Sequence, residues 1–467
     1  MQPRESRVTR ILRDARAAVS TARPETPRDL RGLRPSTALR LAPLPGATDS
    51  GSLQETSTES LLSHVGQLRS SDECEVYAGA DCIARLVAKG LIDAGDIKSV
   101  GVVDAVVRSL DAAVTSPVVA ALLILIREIL VCDPATVHGF FASGLLLSLK
   151  QTLEKPDLIR GSIAGTCCTV LKIMSDDYAH AFHKFELPRR IADLALACIE
   201  SEAVGFMAAG CFAKIAGCTD SERVSNVYCP TLVALLQRFR ANDYIVARCA
   251  FSLVSSFTDE SNLQSVSRKS PEFIKSLIPL AADASARRFD VQRELMSLLV
   301  PLSAHPRAGA LLAKDFSKLV ECIETVPVES STMIAAMAVA SNLAFFDSWD
   351  SSAAAGFCSL VAGVLFEGDT ETLVESTRAL GNVTRTAIGR SACTSERVDE
   401  VMAALASHVD DRVRFNAVGC LINLSSDADW RCGECAAAVR GVVESGIEHD
   451  DEEMGEAVRA LRANLAL

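Results

Sequence analysis

The chain has 467 residues and a formal net charge of −12, with 49% hydrophobic and 5% aromatic residues. Its apolar load is mostly Ala, Leu and Val, residues that pack helix on helix, and 26 Gly with 16 Pro exclude a collagen-like or wholly unstructured chain. The longest apolar run, 118–126, stops at Arg127 and Glu128 and is too short to cross a bilayer.

In chain order, residues 1–58 come first, with 10 Arg, no Lys and 6 acidic residues among many Pro, Ser and Thr. Such a segment cannot bury enough apolar surface to offset ordering entropy, so it reads as a disordered basic arm. Within it Val8, Ile11, Leu12, Ala15 and Val19 share one helical face and Arg4, Arg7, Arg10, Arg13 and Arg16 recur every third position. That pattern suits a mitochondrial presequence, although Glu5 and Asp14 do not. The rest of the chain holds 37 basic against 53 acidic residues. Lacking a basic stripe, it predicts no nucleic-acid partner and favours protein partners, basic ones first.

From Leu61 onward the chain repeats itself. Faint copies place Arg85, Glu128, Lys172, Lys214 and Leu253 at one equivalent position, and a step of 48 from Leu253 to Pro301 locates an insertion in the polar segment 258–271. The clearest copies place Asn342, Asn382, Asn423 and Asn464 at steps of 40, 41 and 41. About nine repeats of some forty residues result, spanning 59–467. Within a repeat, Val398, Val401, Met402 and Leu405 follow i, i+3, i+4, i+7, as do Ala417, Cys420, Leu421 and Leu424. Two antiparallel helices per repeat follow, with room before each pair for a short third helix; no segment has the β-branched alternation of a strand. The sixteen cysteines are scattered singly over these helices, where Cys211, Cys249 and Cys420 stand in for Ala as small buried hydrophobes.

A period near 41 whose last helix ends in small-apolar-Asn-Leu resembles the armadillo repeat. The resemblance implies an all-α fold, an armadillo/HEAT-type right-handed α-solenoid whose third helices line a concave groove. It also implies that the ladder asparagines hold the backbone of an extended peptide, as in nuclear-import receptors and catenins. Val374-Glu-Ser-Thr-Arg-Ala-Leu-Gly-Asn382-Val-Thr and Asn416-Ala-Val-Gly-Cys-Leu-Ile-Asn423-Leu-Ser are further similar to the armadillo-repeat-containing protein 2 family. That likeness implies a part in axoneme assembly around the radial spokes of motile cilia and flagella. Import receptors pair the Asn with a Trp four residues earlier; here those positions are Ala338, Arg378, Gly419 and Ala460, which lack an aromatic sandwich for lysine side chains.

The candidate partner-binding residues lie on stripes of the last repeats: Glu371, Glu375, Arg378 and Asn382 on one, Arg412, Asn416 and Asn423 on the next, with Asn342 and Asn464 at the same ladder position. An Asn amide offers a carbonyl and an NH₂ that suit a peptide unit; alternatively each ties the helix-end groups of a neighbouring repeat. Small residues Ser331, Ala335, Ala457 and Ala460 leave the surface open beside two of them.

Other constellations are incomplete. Cys432-Gly-Glu-Cys435 lacks a second ligand pair, and His180 and His183 near Cys167 and Cys168 fall short of a ligand set, so no metal is expected. Asn382-Val-Thr384 and Asn423-Leu-Ser425 match the glycosylation sequon but lie on inner helices and are expected unmodified. No nucleophile elbow, phosphate-binding Gly loop or HExxH occurs, and the acidic run 448–453 reads as a solvated turn. The expectation is a non-enzymatic scaffold or adaptor without cofactor or small-molecule substrate, in the cytoplasm or a cilium. It would take protein or peptide ligands in its groove and bind neither nucleic acid nor membrane. The alternatives are a transport receptor for basic linear peptides and, for localisation, mitochondrial targeting by residues 1–20.

Overall fold

The helical periodicity is realised across the described residues. The computed structural model describes residues 58–465 except 156, 160, 219–224, 286–288, 329 and 446–451, and among the described residues the regular elements are all helices. The arm expected over 1–58 lies outside the described residues, Thr58 apart.

The described residues form two compact units, 58–256 and 257–465. The N-terminal unit contains five long ladder helices, α1 (Glu73–Ala88), α2 (Ser116–Cys132), α3 (Ser162–Phe182), α4 (Glu202–Ala216) and α5 (Asp243–Ser256). The C-terminal unit contains five more, α6 (Phe289–Ala304), α7 (Ser331–Ala344), α8 (Thr370–Val383), α9 (Asp411–Leu424) and α10 (Glu452–Leu465). Within each unit every ladder helix packs on the next. A second layer runs behind it: in the C-terminal unit, helices Leu277–Ser285, Phe316–Ile323, Ser351–Glu367, Val398–Leu405 and Glu434–Ser445 pack in that order. Short helices such as Ala387–Ser395 complete the repeats.

Local chemistry fixes where the ladder helices begin. Asp72, Asp369 and Asp410 accept from the backbone N–H of Cys74, Thr372 and Arg412 at 2.9, 2.8 and 2.9 Å, and Ser330 Oγ accepts from that of Met333 at 3.2 Å. Each such cap satisfies an orphan helix donor and contributes about 1 kcal/mol. Packing follows the apolar stripe: Ala417, Cys420, Leu421 and Leu424 are fully buried, as are Val398 and Met402, with Val401 and Leu405 half-buried. Each fully buried aliphatic side chain contributes about 1.5–3 kcal/mol. Cys211 and Cys249 are also fully buried, and burial pushes both thiols up, keeping them neutral.

The polar segment 258–271 is largely helical. Helix Glu260–Lys269, capped by Asp259, buries Leu263 and Val266 on one face. Only that face is apolar, which is why the segment reads as polar overall. One tight approach also matters: a Cβ on Gly389 would lie 2.0 Å from the Val383 carbonyl oxygen, so the start of helix Ala387–Ser395 admits only glycine there.

Candidate partner-binding face

The capped ladder helices of the C-terminal unit present their asparagines in register, and each amide nitrogen reaches back one repeat. Asn342 Nδ2 donates to Ser303 Oγ at 3.0 Å, and Asn382 Nδ2 to the Ser341 carbonyl at 2.8 Å. Asn423 Nδ2 donates to the Gly381 carbonyl at 2.8 Å and Thr384 Oγ1 at 3.3 Å. Asn464 Nδ2 repeats the pattern on Ile422 O at 3.4 Å and Ser425 Oγ at 3.0 Å. Asn416, a turn earlier on α9, does the same to Val374 O at 3.0 Å and Thr377 Oγ1 at 3.3 Å. Pro301 occupies the ladder position in α6 and has no side-chain amide; Ser303, two residues on, supplies the acceptor.

These bonds account for a signal that sequence reasoning read otherwise. The hydroxyl two residues after Asn382, Thr384, is an acceptor for Asn423, and the hydroxyl two residues after Asn423, Ser425, is an acceptor for Asn464. The Asn-x-Ser/Thr wording is thus one rung of a repeat-to-repeat zipper, and both hydroxyls are fully buried.

The charged members of the stripes pair with one another. Arg412 holds Glu371 through two bonds, 3.1 and 2.7 Å, and Asp410 at 3.0 Å. Its hydrogen bond holds the Asp410 carboxyl below the usual carboxylate range. Arg378 clasps Glu375, with Nε at 2.8 Å, and its Nη1 donates to Asn342 Oδ1 at 3.4 Å. The structure therefore brings Glu371 to Arg412 and Asn342 to Arg378, which also holds Glu375, while Asn464 stands one helix further on. Three carboxylates, Glu371, Glu375 and Asp410, thus share two guanidiniums, Arg378 and Arg412.

Two aromatics that sequence reasoning did not single out also belong to this surface. Phe415, on α9 beside Asn416, is 41% exposed, and Phe345, three residues past Asn342, is 57% exposed. The Arg385 guanidinium lies 4.3 Å from the Phe345 ring centroid, a cation–π contact between consecutive repeats. Gly419 leaves the neighbouring surface open, since a Cβ there would meet nothing within 4 Å. Elsewhere, Cys167 is buried with its thiol pushed up to about 12 by desolvation, and Cys435 is raised to about 12 by burial and nearby Asp399. Among the described residues no group of three or more His, Cys, Asp or Glu side chains is placed to hold a metal ion.

No family model and no curated protein matches the chain. Solved structures do. An engineered protein from a structural genomics consortium is similar with a TM-score of 0.59 at 18% identity, covering 87% of this chain and 99% of that one. A structure from a study of a phosphorylation switch controlling the interaction between cadherin and β-catenin is similar with a TM-score of 0.56 at 14% identity, covering 88% and 91%. At these identities the likeness defines the fold. The chain has an all-α, armadillo-type solenoid fold, of the kind found in β-catenin. No described helix is long and apolar enough to cross a membrane.

Proposed function

We propose that the protein is a non-catalytic interaction scaffold whose C-terminal ladder face, α7 to α10, takes an extended segment of a partner protein. One observation carries the reading. With each Nδ2 tied to the preceding repeat, Asn382, Asn416, Asn423 and Asn464 keep Oδ1 as an acceptor that no described residue engages. Packed helices stand about 8–10 Å apart, so an extended chain advances about three residues per repeat and can present a backbone N–H to each acceptor. Phe415, Phe345 and the open surface at Gly419 offer contact for apolar side chains.

A transport receptor for basic peptides is less well supported, because Glu371 and Glu375 already face Arg412 and Arg378 and a lysine would have to displace an arginine. A place in axoneme assembly rests on the wording of 374–384 and 416–425. In those segments Asn382, Asn416, Asn423, Thr377 and Thr384 all take part in repeat-to-repeat bonds.

Selecting a displayed library of random linear peptides on the full chain tests the proposal. Peptides recovered on the natural chain and lost on Gly419→Gln, which fills the open surface without an internal clash, are the expected result. A library yielding no Gly419-sensitive peptide would overturn it.

A further inference from the structure

The ladder face of the N-terminal unit is built differently. Phe206 of α4 and Tyr244 of α5 stack, with ring centroids 3.9 Å apart and planes 18° from parallel. The Arg248 guanidinium lies 5.3 Å from the Tyr244 centroid. Tyr244 can cross α4 because position 210 is glycine: a Cβ there would lie 2.8 Å from Tyr244 Oη and 3.3 Å from Lys172 Cγ. The ring therefore bridges from α5 across α4 to the side chain of Lys172 on α3.

Around this stack the cations outnumber their partner. Lys172 and Lys214 both pair with Asp176, each at 3.0 Å, so two ammonium groups share one carboxylate. Arg248 adds a third cation over the ring. Of the other carboxylates on these helices, Asp177 of α3 is exposed and pairs with none of the three cations, while Glu202 and Asp243 stand in the first turns of α4 and α5, and Glu202 already accepts from Asn242 at 2.6 Å. Lys214 lies at the opposite end of α4, in its last turn, with its side chain 46% exposed.

We propose that Lys172, Phe206, Lys214, Tyr244 and Arg248 form a docking surface for an acidic, extended peptide segment of a partner protein. Carboxylates of the segment would pair with Lys214, Lys172 and Arg248, where Asp176 leaves positive charge uncompensated, and an apolar side chain would lie against the Phe206–Tyr244 stack. This reverses the charge preference that the acidic composition of residues 59–467 suggests. Aromatic stacking beside cations also suits single-stranded nucleic acid. A long polyanion, however, would have to lie along a body of 37 basic and 53 acidic residues. A short acidic peptide meets only the local field, whose range at physiological salt is about 8 Å.

The site lies on the other unit from the face proposed above, and one selection separates the two. Random linear peptides are selected on the full chain and counter-selected on Lys214→Gln/Arg248→Gln and, separately, on Gly419→Gln. The expected result is a set of net-negative peptides that is lost on the lysine–arginine variant and kept on Gly419→Gln. Made synthetically, these should bind the full chain with salt-dependent affinity that falls about tenfold in the double variant, at an unchanged melting temperature. Gly210→Ala, which displaces Tyr244, should weaken them as well. Lysine–arginine-sensitive peptides without excess acid, affinity indifferent to both substitutions, or tighter binding of a labelled single-stranded oligonucleotide would each overturn the proposal.

Discussion

Asn423 Nδ2 donates to Thr384 Oγ1, 3.3 Å away and one repeat earlier in the chain, while the same amide reaches the Gly381 carbonyl at 2.8 Å. The Gly381 carbonyl also accepts from Thr384 Oγ1 at 3.2 Å, so the amide closes a small network around a fully buried hydroxyl.

Replacing Asn423 by Ala should lower stability by about 1–2 kcal/mol, because the Thr384 hydroxyl loses the amide donor and the Gly381 carbonyl loses the shorter of its two side-chain bonds while the helix keeps its propensity. Thermal unfolding followed by circular dichroism checks this; an unchanged melting temperature would mean that water satisfies both groups.

Asn423→Asp should be worse than Ala near neutral pH, since a carboxylate would face the Gly381 carbonyl. The protonated acid can donate in place of Nδ2, so the folded state should raise the pKa of the introduced group above its unfolded value. The variant should then be most stable below about pH 4 and lose that advantage as pH rises through the raised pKa. A stability profile parallel to that of the natural chain would contradict this.

The two ion pairs of the C-terminal face should differ in worth. Glu371 and Arg412 side chains are 56% and 51% exposed, so Glu371→Gln should cost less than about 1 kcal/mol and the difference should fade in high salt. Glu375 and Arg378 are 19% and 14% exposed, and Glu375→Gln should cost about 2 kcal/mol with little salt dependence, because a partly desolvated guanidinium loses its partner. Chemical denaturation in low and high salt distinguishes the two.

Asp410 gives an acid limb to the stability curve. Its carboxyl titrates below the unfolded value because Arg412 bonds it, so its contribution is complete above about pH 4 and is lost as pH falls through the lowered folded pKa. Asp410→Asn should flatten that limb in denaturation series between mildly and strongly acidic pH.

Two glycines should respond in opposite senses to alanine. Gly419→Ala should stabilise α9 by about 0.5–1 kcal/mol, since the added Cβ meets nothing within 4 Å. Gly389→Ala should destabilise by at least about 1–3 kcal/mol, because its Cβ would lie 2.0 Å from the Val383 carbonyl oxygen. Melting temperatures of the two single variants suffice.

The fold was legible because the signal is local: Ala417, Cys420, Leu421 and Leu424 repeat at helical spacing and end up fully buried on one stripe. Asn342, Asn382, Asn423 and Asn464 were legible through their spacing alone. Their bonding partners were not, because Thr384 and Ser425 belong to a different repeat from the asparagine each serves and read locally as glycosylation sequons. The pairing of Arg412 with Glu371 spans 41 residues, and it emerges only once the register of α8 against α9 is known. The Phe206–Tyr244 stack was not legible because its two rings stand on different ladder helices and meet only once α4 and α5 are in register. Gly210, its enabling residue, carries no local signature beyond its small size.

The zipper also bears on how the molecule ages. Deamidation converts Asn to Asp when the following backbone nitrogen attacks the side-chain carbonyl, and a helical backbone that clamps the amide on a neighbouring repeat holds those atoms apart. Asn382, Asn416 and Asn423 all sit inside helices, followed by Val383, Ala417 and Leu424 rather than by glycine. The contacts that join the repeats thus also protect them from the chemical change most harmful to the stack, and a repeat that frays from its neighbour loses both at once.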